Sequence, residues 1–359
     1  MREKEILVDS EKLKSFIKKI FILLEVIEEE AEKVAEILVE TDLRGVYSHG
    51  VIRVPIYAKR IGLGFINPKS KIDIVSNNNA SAVLDANNCL GQISSIKAMQ
   101  MAIEKAEKYS IGVVVVKNSN HFGAAAAYTL QAVEKGMIGF ATTNAACRMA
   151  PTGGTEQIIG NNPFCYAIPA GEELPIVLDI SCSAVSLGKI ILKMKKGENL
   201  PLGWVLDKDG NPTIDASAAI KGGGSLVPIG EYKGYGMALV FDILSGILGD
   251  STGGTEVQSL YNLNTDKKLG AGHFFMAMKI DNFIPIDRFK CRIDKRIKEI
   301  KNSSKKEGVK QIYLPGEIEF KNKEKNLRDG IPIAKEVVED LSKTAKELGI
   351  NIDDYNIFR

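Results

Sequence analysis

Two histidines of this chain stand where the backbone is expected to turn, each beside polar groups that could do chemistry. His121 lies in Asn118-Ser119-Asn120-His121-Phe122-Gly123, just ahead of the small-residue run Ala124-Ala125-Ala126-Ala127. His49 lies in Ser48-His49-Gly50-Val51-Ile52-Arg53, with a guanidinium close behind it in sequence. An imidazole has an ordinary pKa of about 6.5, so it gives and takes a proton near neutrality. A guanidinium offers a planar fork that pairs two-to-two with a carboxylate. Together the two suit proton transfer on a small anionic substrate. Residue type alone leaves plainer roles open, His121 as a hydrogen-bonded loop histidine and Arg53 as a surface ion-pair partner. His273, before Phe274-Phe275 in an apolar stretch, reads as structural.

These groups need elements to hold them. Ile111-Gly112-Val113-Val114-Val115-Val116 is a β-branched run of the kind a buried parallel strand shows. Residues 124–134 favour a helix, with Gly136 placed to end it. Strand, polar turn and helix in that order put His121 at the carboxyl edge of a sheet, where ligands of open α/β folds gather. The helix N-terminus beside it favours anionic groups. Pro55 suits the first turn of a helix over 54–62, which leaves 48–53 as its irregular approach. Helices are expected across 10–46, with Ser10 as a cap, and at 91–108, 187–196 and 287–301. An apolar helix over 237–248 reads as buried, and Pro332 as the opening of a last helix ending at 348. Strands are expected within 71–85 and at 137–143, 175–179 and 272–280, with a turn-rich loop between 150 and 163. Strands alternating with helices make this an α/β chain.

The chain has 359 residues, more than one core usually supports, so two or three packed units are expected. A formal net charge of +2 gives no field for nucleic acid or an anionic membrane. The five cysteines, at 89, 147, 165, 182 and 291, form neither a close pair nor a metal-ligand spacing. Free thiols in a reducing cytoplasm are the expectation, with no metal site. The charged start, Met1-Arg2-Glu3-Lys4-Glu5, is not that of a signal peptide. No apolar stretch is long enough to span a bilayer.

No Gly-x-Gly-x-x-Gly joins a strand to a helix here, and the phosphate loop of nucleotide hydrolases is missing as well. A standard Rossmann site is therefore not expected. Four separated segments nonetheless resemble one family, the second type of malate/L-lactate dehydrogenase, which includes sulfolactate and ureidoglycolate dehydrogenases and cyclic-imine reductases. They are Ser48 to Arg53, Asn120-His121-Phe122-Gly123, Gly160-Asn161-Asn162-Pro163 with the preceding Ala150 to Gly154, and Lys233-Gly234-Tyr235-Gly236. Pro315-Gly316-Glu317 and the Gly203-Trp204 segment fit as well. The resemblance runs from about residue 10 to about residue 320.

What it implies is a non-Rossmann, mixed-sheet fold binding NAD or NADP, with an N-terminal helical region packed on C-terminal helices. It also implies a homodimer with sites near the subunit boundary. The division expected is 1–70 with 285–359 as a helical, dimerising unit, 71–123 as a small α/β unit, and 124–284 as the cofactor unit. By resemblance His49 is the acid/base, with Ser48 beside it, and His121 competes for that role. Arg53 would hold the substrate carboxylate, with Asn161 and Asn162 approaching the substrate. His121, Phe122, Gly123, Ala124, Ala125, Asp179, Ile180, Ser181, Lys233, Gly234, Pro315, Gly316 and Glu317 would contact the cofactor. The implied reaction interconverts a small L-2-hydroxy acid and its 2-oxo acid. Cyclic-imine-2-carboxylate reduction is the alternative, although Lys189 stands where some imine reductases carry an aspartate. A hydrolase or lyase built on the histidines is disfavoured, because side chains adjacent in sequence diverge and Ser48 and His49 would not meet. A non-catalytic binding module is the remaining class.

Overall fold

The computed structural model describes residues 5–195, 197–355 and 357. Residues 1–4, 196, 356, 358 and 359 lie outside them, so the charged start, the end of the 187–196 helix and the edges of the helical unit are not described. Strand β1 (Glu5–Val8) leads into helices α1 (Ser10–Leu23) and α2 (Glu28–Leu43). Next come a turn, a short 3-10 helix (Val51–Arg53) and α3 (Val54–Gly62). A hairpin of β2 (Asp73–Asn77) and β3 (Ser81–Asp85) precedes α4 (Gly91–Tyr109), β4 (Ile111–Ser119), α5 (Ala126–Glu134) and β5 (Met137–Thr143). The middle of the chain holds β6 (Cys147–Met149), β7 (Ile159–Gly160), β8 (Phe164–Ile168), β9 (Ile176–Ile180) and α6 (Leu187–Lys195). Then follow β10 (Val205–Leu206), β11 (Pro212–Thr213), α7 (Ala216–Ile220), β12 (Ser225–Leu226) and α8 (Tyr232–Ser245). The chain continues through β13 (Ala271–Lys279), α9 (Ile286–Lys301), α10 (Glu317–Asp329), β14 (Ile331–Ala334) and α11 (Lys335–Glu347). None of these helices is long and apolar enough to cross a membrane.

The main sheet has the order β2-β3-β4-β13-β5-β8-β9. Only β3 and β4 run parallel; β13 comes from late in the chain and pairs antiparallel with both β4 and β5. The β-branched run is thus a central strand of a mixed sheet rather than of a parallel one. Its ladder also crosses the division expected at residue 123. Alternate residues serve opposite faces, as the strand period requires. Val114, Val116, Ala141 and Phe275 enter one core with the helices. Val115, Phe140 and Phe274 enter a second core with Ala238 of α8 and the smaller sheet β11-β10-β12-β6-β7. Helix α4 lies on β4 through small residues, Ala98, Ala102 and Ala106, all buried. The fit is so close that a Cβ at Gly112 would meet the Ala102 carbonyl oxygen at 1.9 Å.

The ends of the chain meet. β1 pairs with β14, and Asn326 of α10 donates to the Leu43 carbonyl at the end of α2 at 2.9 Å. N-terminal and C-terminal helices therefore pack as one region. Three local expectations need correcting. Asp9, not Ser10, caps α1, its carboxylate accepting from the Lys12 amide. Pro332 lies inside β14, whose alternating Ile331 and Ile333 are buried, and a helix over 317–329 stands where none was expected. That helix has no apolar stripe to announce it. The helix expected to be buried over 237–248 begins at Tyr232, and its Leu239, Val240 and Ile243 are exposed.

Gly112→Ala forces α4 off β4 and should cost about 1–3 kcal/mol, read as a lower urea midpoint. An unchanged midpoint would mean that the helix is not seated this closely.

Candidate active site

The turn carrying His49 is irregular backbone, so it needs support from outside itself. Asp42, in the last turn of α2 and only 3 % exposed, supplies it: its carboxylate accepts from the Val51 amide at 2.8 Å. A Cβ at Gly50 would fall 1.9 Å from that carboxylate, so this position tolerates only glycine. Burial pushes the Asp42 pKa up to about 8, with the Val51 amide pulling the other way. Pro55 sits in the first turn of α3 as expected, and Arg53 is the residue that precedes the helix. Arg53 Nε donates to the Ser48 carbonyl at 2.8 Å, which folds the guanidinium back over the turn. Its Nη1 donates to the Tyr261 hydroxyl, and Tyr261 belongs to the loop after α8. That loop is held in turn by Arg60, fully buried in α3, which donates to the Leu260 carbonyl at 3.2 Å.

His121 arrives from the carboxyl end of β4 and stacks on His49, with ring centroids 5.5 Å apart and planes inclined by 19°. Both rings line one cleft together with Ser48, Arg53, Phe122, Gly123 and Asn161. Removal from water, and next the positive charge of Arg53, holds His49 down to about 3. The same two causes hold His121 well below its usual value. Both imidazoles are neutral at neutral pH. Among the described residues no aspartate or glutamate lines the cleft.

The two rings differ in their second nitrogen. Gln92 Nε2 donates to the Tyr57 hydroxyl at 3.2 Å, so the hydroxyl's one proton goes to His121 Nδ1, 2.6 Å away. That placement of the hydroxyl proton favours the His121 tautomer protonated on Nε2. His49 Nδ1 lies 2.8 Å from Ser48 Oγ, which can either give or accept a proton. So the expectation that adjacent Ser48 and His49 cannot meet is wrong: the tight turn brings them into contact. A hydrolytic triad still lacks its third member, since among the described residues no carboxylate orients His49.

Other expected residues lie outside the cleft. Asn162 is fully buried behind its wall, accepting from the Ala145 amide at 3.0 Å and donating to the Ala238 carbonyl at 2.8 Å. Ala124 and Ala125 lead from the cleft into α5, where the exposed Asp179 of β9 caps the Ala126 amide at 2.8 Å. Ile180 ends β9, and Ser181 follows with its hydroxyl 3.0 Å from that of Ser183. The Pro315 carbonyl accepts from the Val177 amide at 2.9 Å, and Gly316 packs on Val177. Glu317 is buried with its carboxylate taken by Gln311 and Lys321, each at 2.9 Å. Lys233 is exposed at the start of α8, and Gly234 packs on Ile229 and Cys182. His273 is structural as expected, buried between the hydroxyls of Thr143 and Ser119 at 2.7 and 2.8 Å and stacked on Phe122.

Sequence reasoning missed Tyr57, Gln92, Thr143, Asn144, Arg148 and Tyr261. Tyr57 had a signal, since it follows Arg53 by one helical turn and shares its face. Tyr261 had none, lying in a polar loop without periodicity.

Tyr57→Phe removes the donor at His121 Nδ1. Nitrogen–proton NMR of the imidazoles should report the Nε2-protonated form in the parent chain and a mixture of tautomers in the variant. An unchanged pattern would show that Tyr57 does not fix the tautomer.

Residues 8–342 match the family described as malate/L-lactate dehydrogenase. The chain is 41% identical over 355 residues to a malate dehydrogenase of Pyrococcus abyssi, covering 97% of this chain and 96% of that one. It is 40% identical to an L-sulfolactate dehydrogenase of Methanocaldococcus jannaschii, covering 91% and 93%. Its fold is similar to the solved structure of a sulfolactate dehydrogenase from Methanocaldococcus jannaschii, with a TM-score of 0.91 at 39% identity over 98% of this chain and 99% of that one. A turn that pairs His49 with Arg53, a second histidine stacked on the first and a match along nearly the whole length agree: the chain belongs to the malate/L-lactate dehydrogenase family.

Proposed function

We propose that the chain interconverts a small L-2-hydroxy acid and its 2-oxo acid, using NAD or NADP. The observation that carries this reading is the convergence of His49, His121 and Arg53 in a cleft without acidic lining. Arg53 holds the substrate carboxylate, leaving Tyr261 to do so. His49 moves the proton. With Nδ1–H donating to Ser48, its Nε2 is bare and can take the proton of the hydroxyl. His121, with Nδ1 occupied by Tyr57, presents N–H and can only donate a hydrogen bond to the substrate oxygen.

The cleft suits a nicotinamide. A Cβ at Gly123 would have only the His49 carbonyl at 3.8 Å and Gln92 Nε2 at 4.0 Å near it. Phe122 and Gly123 on one side and Leu187 and Gly188 on the other would hold the ring. The cofactor supplies or accepts the hydride. Imine reduction finds no support here, because among the described residues no carboxylate lines the cleft to complete a relay.

The resemblance to homodimers is supported by the exposed apolar face of α8, Leu239, Val240 and Ile243, with Ile247 and Leu248 beyond it. Five unpaired cysteines support a cytoplasmic setting. Light scattering should return about twice the 39.1 kDa chain mass; the mass of a single chain would end the dimer reading.

His49→Asn should lower turnover about 10²- to 10⁴-fold while cofactor affinity changes little. Retained turnover would pass the proton to another group and sink this mechanism. A depressed His49 pKa means that the base form is already present at pH 5 to 8. So kcat/KM for oxidation should be flat across that range, whereas kcat/KM for reduction, which needs the scarce protonated form, should fall as pH rises. A rising limb for oxidation with a midpoint near 6.5 would contradict the depressed value.

A further inference from the structure

Arg148 is a charged residue of the cleft that the mechanism above leaves unused. It stands in β6 where the ladder with β7 slips, since Cys147 pairs with Gly160 and Met149 with Ile159. Two residues of β6 thus advance against one of β7, and Arg148 is the extra one. Such a bulge re-aims a side chain, and bulges concentrate beside functional sites. The neighbouring Met149 is fully buried in the second core and paired with Leu226 of β12, so the strand is anchored. Arg148 points the other way, half-buried, into the cleft.

Its guanidinium has no ion pair and no hydrogen bond among the described residues, although Arg53, in the same cleft, has two hydrogen-bond partners. An unpaired charge held partly out of water is costly unless a ligand completes it. Two guanidinium groups on different elements, with no acid between them, make a receptor for two negative groups rather than one. We infer that Arg148 receives a second anionic group of the substrate, so that the chain selects 2-oxo and 2-hydroxy acids bearing a further carboxylate or sulfonate beyond the reacting carbon. This rests on the dehydrogenase reading above and adds the substrate class to it. Arg53 fixes the carboxylate next to the reacting carbon. Arg148 tests whether the far end of the molecule is charged.

The experiment compares oxaloacetate, sulfopyruvate and pyruvate as substrates of the full-length parent chain and of R148M, R148Q and R148K, with NADH and NADPH. The parent should prefer the two dianionic acids, and the better of these names carboxylate or sulfonate as the second group. R148M and R148Q should lose about 10- to 100-fold in kcat/KM for the dianions, chiefly through KM, while pyruvate changes less than about threefold. R148K should recover part of the loss. An equal loss on pyruvate, a raised KM for the reduced cofactor, or an unchanged preference would each overturn the assignment. A lowered melting temperature in R148M, R148Q and R148K alike would make Arg148 structural and overturn it too. A parent chain that turns over none of the three acids would instead defeat the dehydrogenase reading, and this inference with it.

Discussion

A buried carboxylate under a turn of backbone sets the terms for the rest of the molecule. The segment from Val46 to Gly50 has no ladder or helix to stabilise it, yet it carries the imidazole and leads into the guanidinium. Asp42 ties it to α2 through the Val51 amide, and the bare Gly50 lets the chain lie on that carboxylate. Helix α2 is braced in turn by α10, through Asn326 and through Lys323 paired with Glu40 at 2.8 Å. The geometry of the His49 turn thus depends on residues from the far end of the chain. This is how a fold holds an irregular segment to tight tolerance.

The cleft itself forms where three structures end together. β4 delivers His121 at its carboxyl end, β5 runs out into Asn144 and the small sheet, and the loop after α8 closes the side with Tyr261. The electrostatics follow from this placement. Enclosure by apolar residues and the nearby Arg53 both penalise protonation, so the stacked rings can lie side by side without repulsion. An acidic lining would have worked against both.

Much of this was legible in the sequence, for reasons that can be named. The unbroken valines of β4, Pro55 at the start of α3 and the run of alanines after Gly123 each impose a local conformation, and those elements stand where they were expected. The pairing of β4 was not legible, because a strand buried on both faces reads the same whichever direction its neighbours run. Nor was α10, a polar helix seated by a few asparagines and lysines rather than by a stripe. Among residues of the cleft, His49, His121 and Arg53 announced themselves by type and spacing. Asn162 misled, since an asparagine in a tight turn serves the backbone as readily as a ligand, and here its amide spans two carbonyl-and-amide contacts behind the wall. Tyr261 and Arg148 become neighbours of the site only through tertiary contacts that leave no local pattern.

The position of β13 bears on how the molecule is made. This strand separates β4 from β5, so about 130 residues of chain must be synthesised after β5 before the central ladder can form. Until then β4 and β5 each present an open, β-branched or aromatic edge, the kind of surface that recruits other chains. A ribosome-bound intermediate therefore carries its greatest risk of misassociation in mid-synthesis, and any product ending before residue 271 lacks the strand that would relieve it. The His121 turn, hanging from the end of β4, is completed only when that late strand docks.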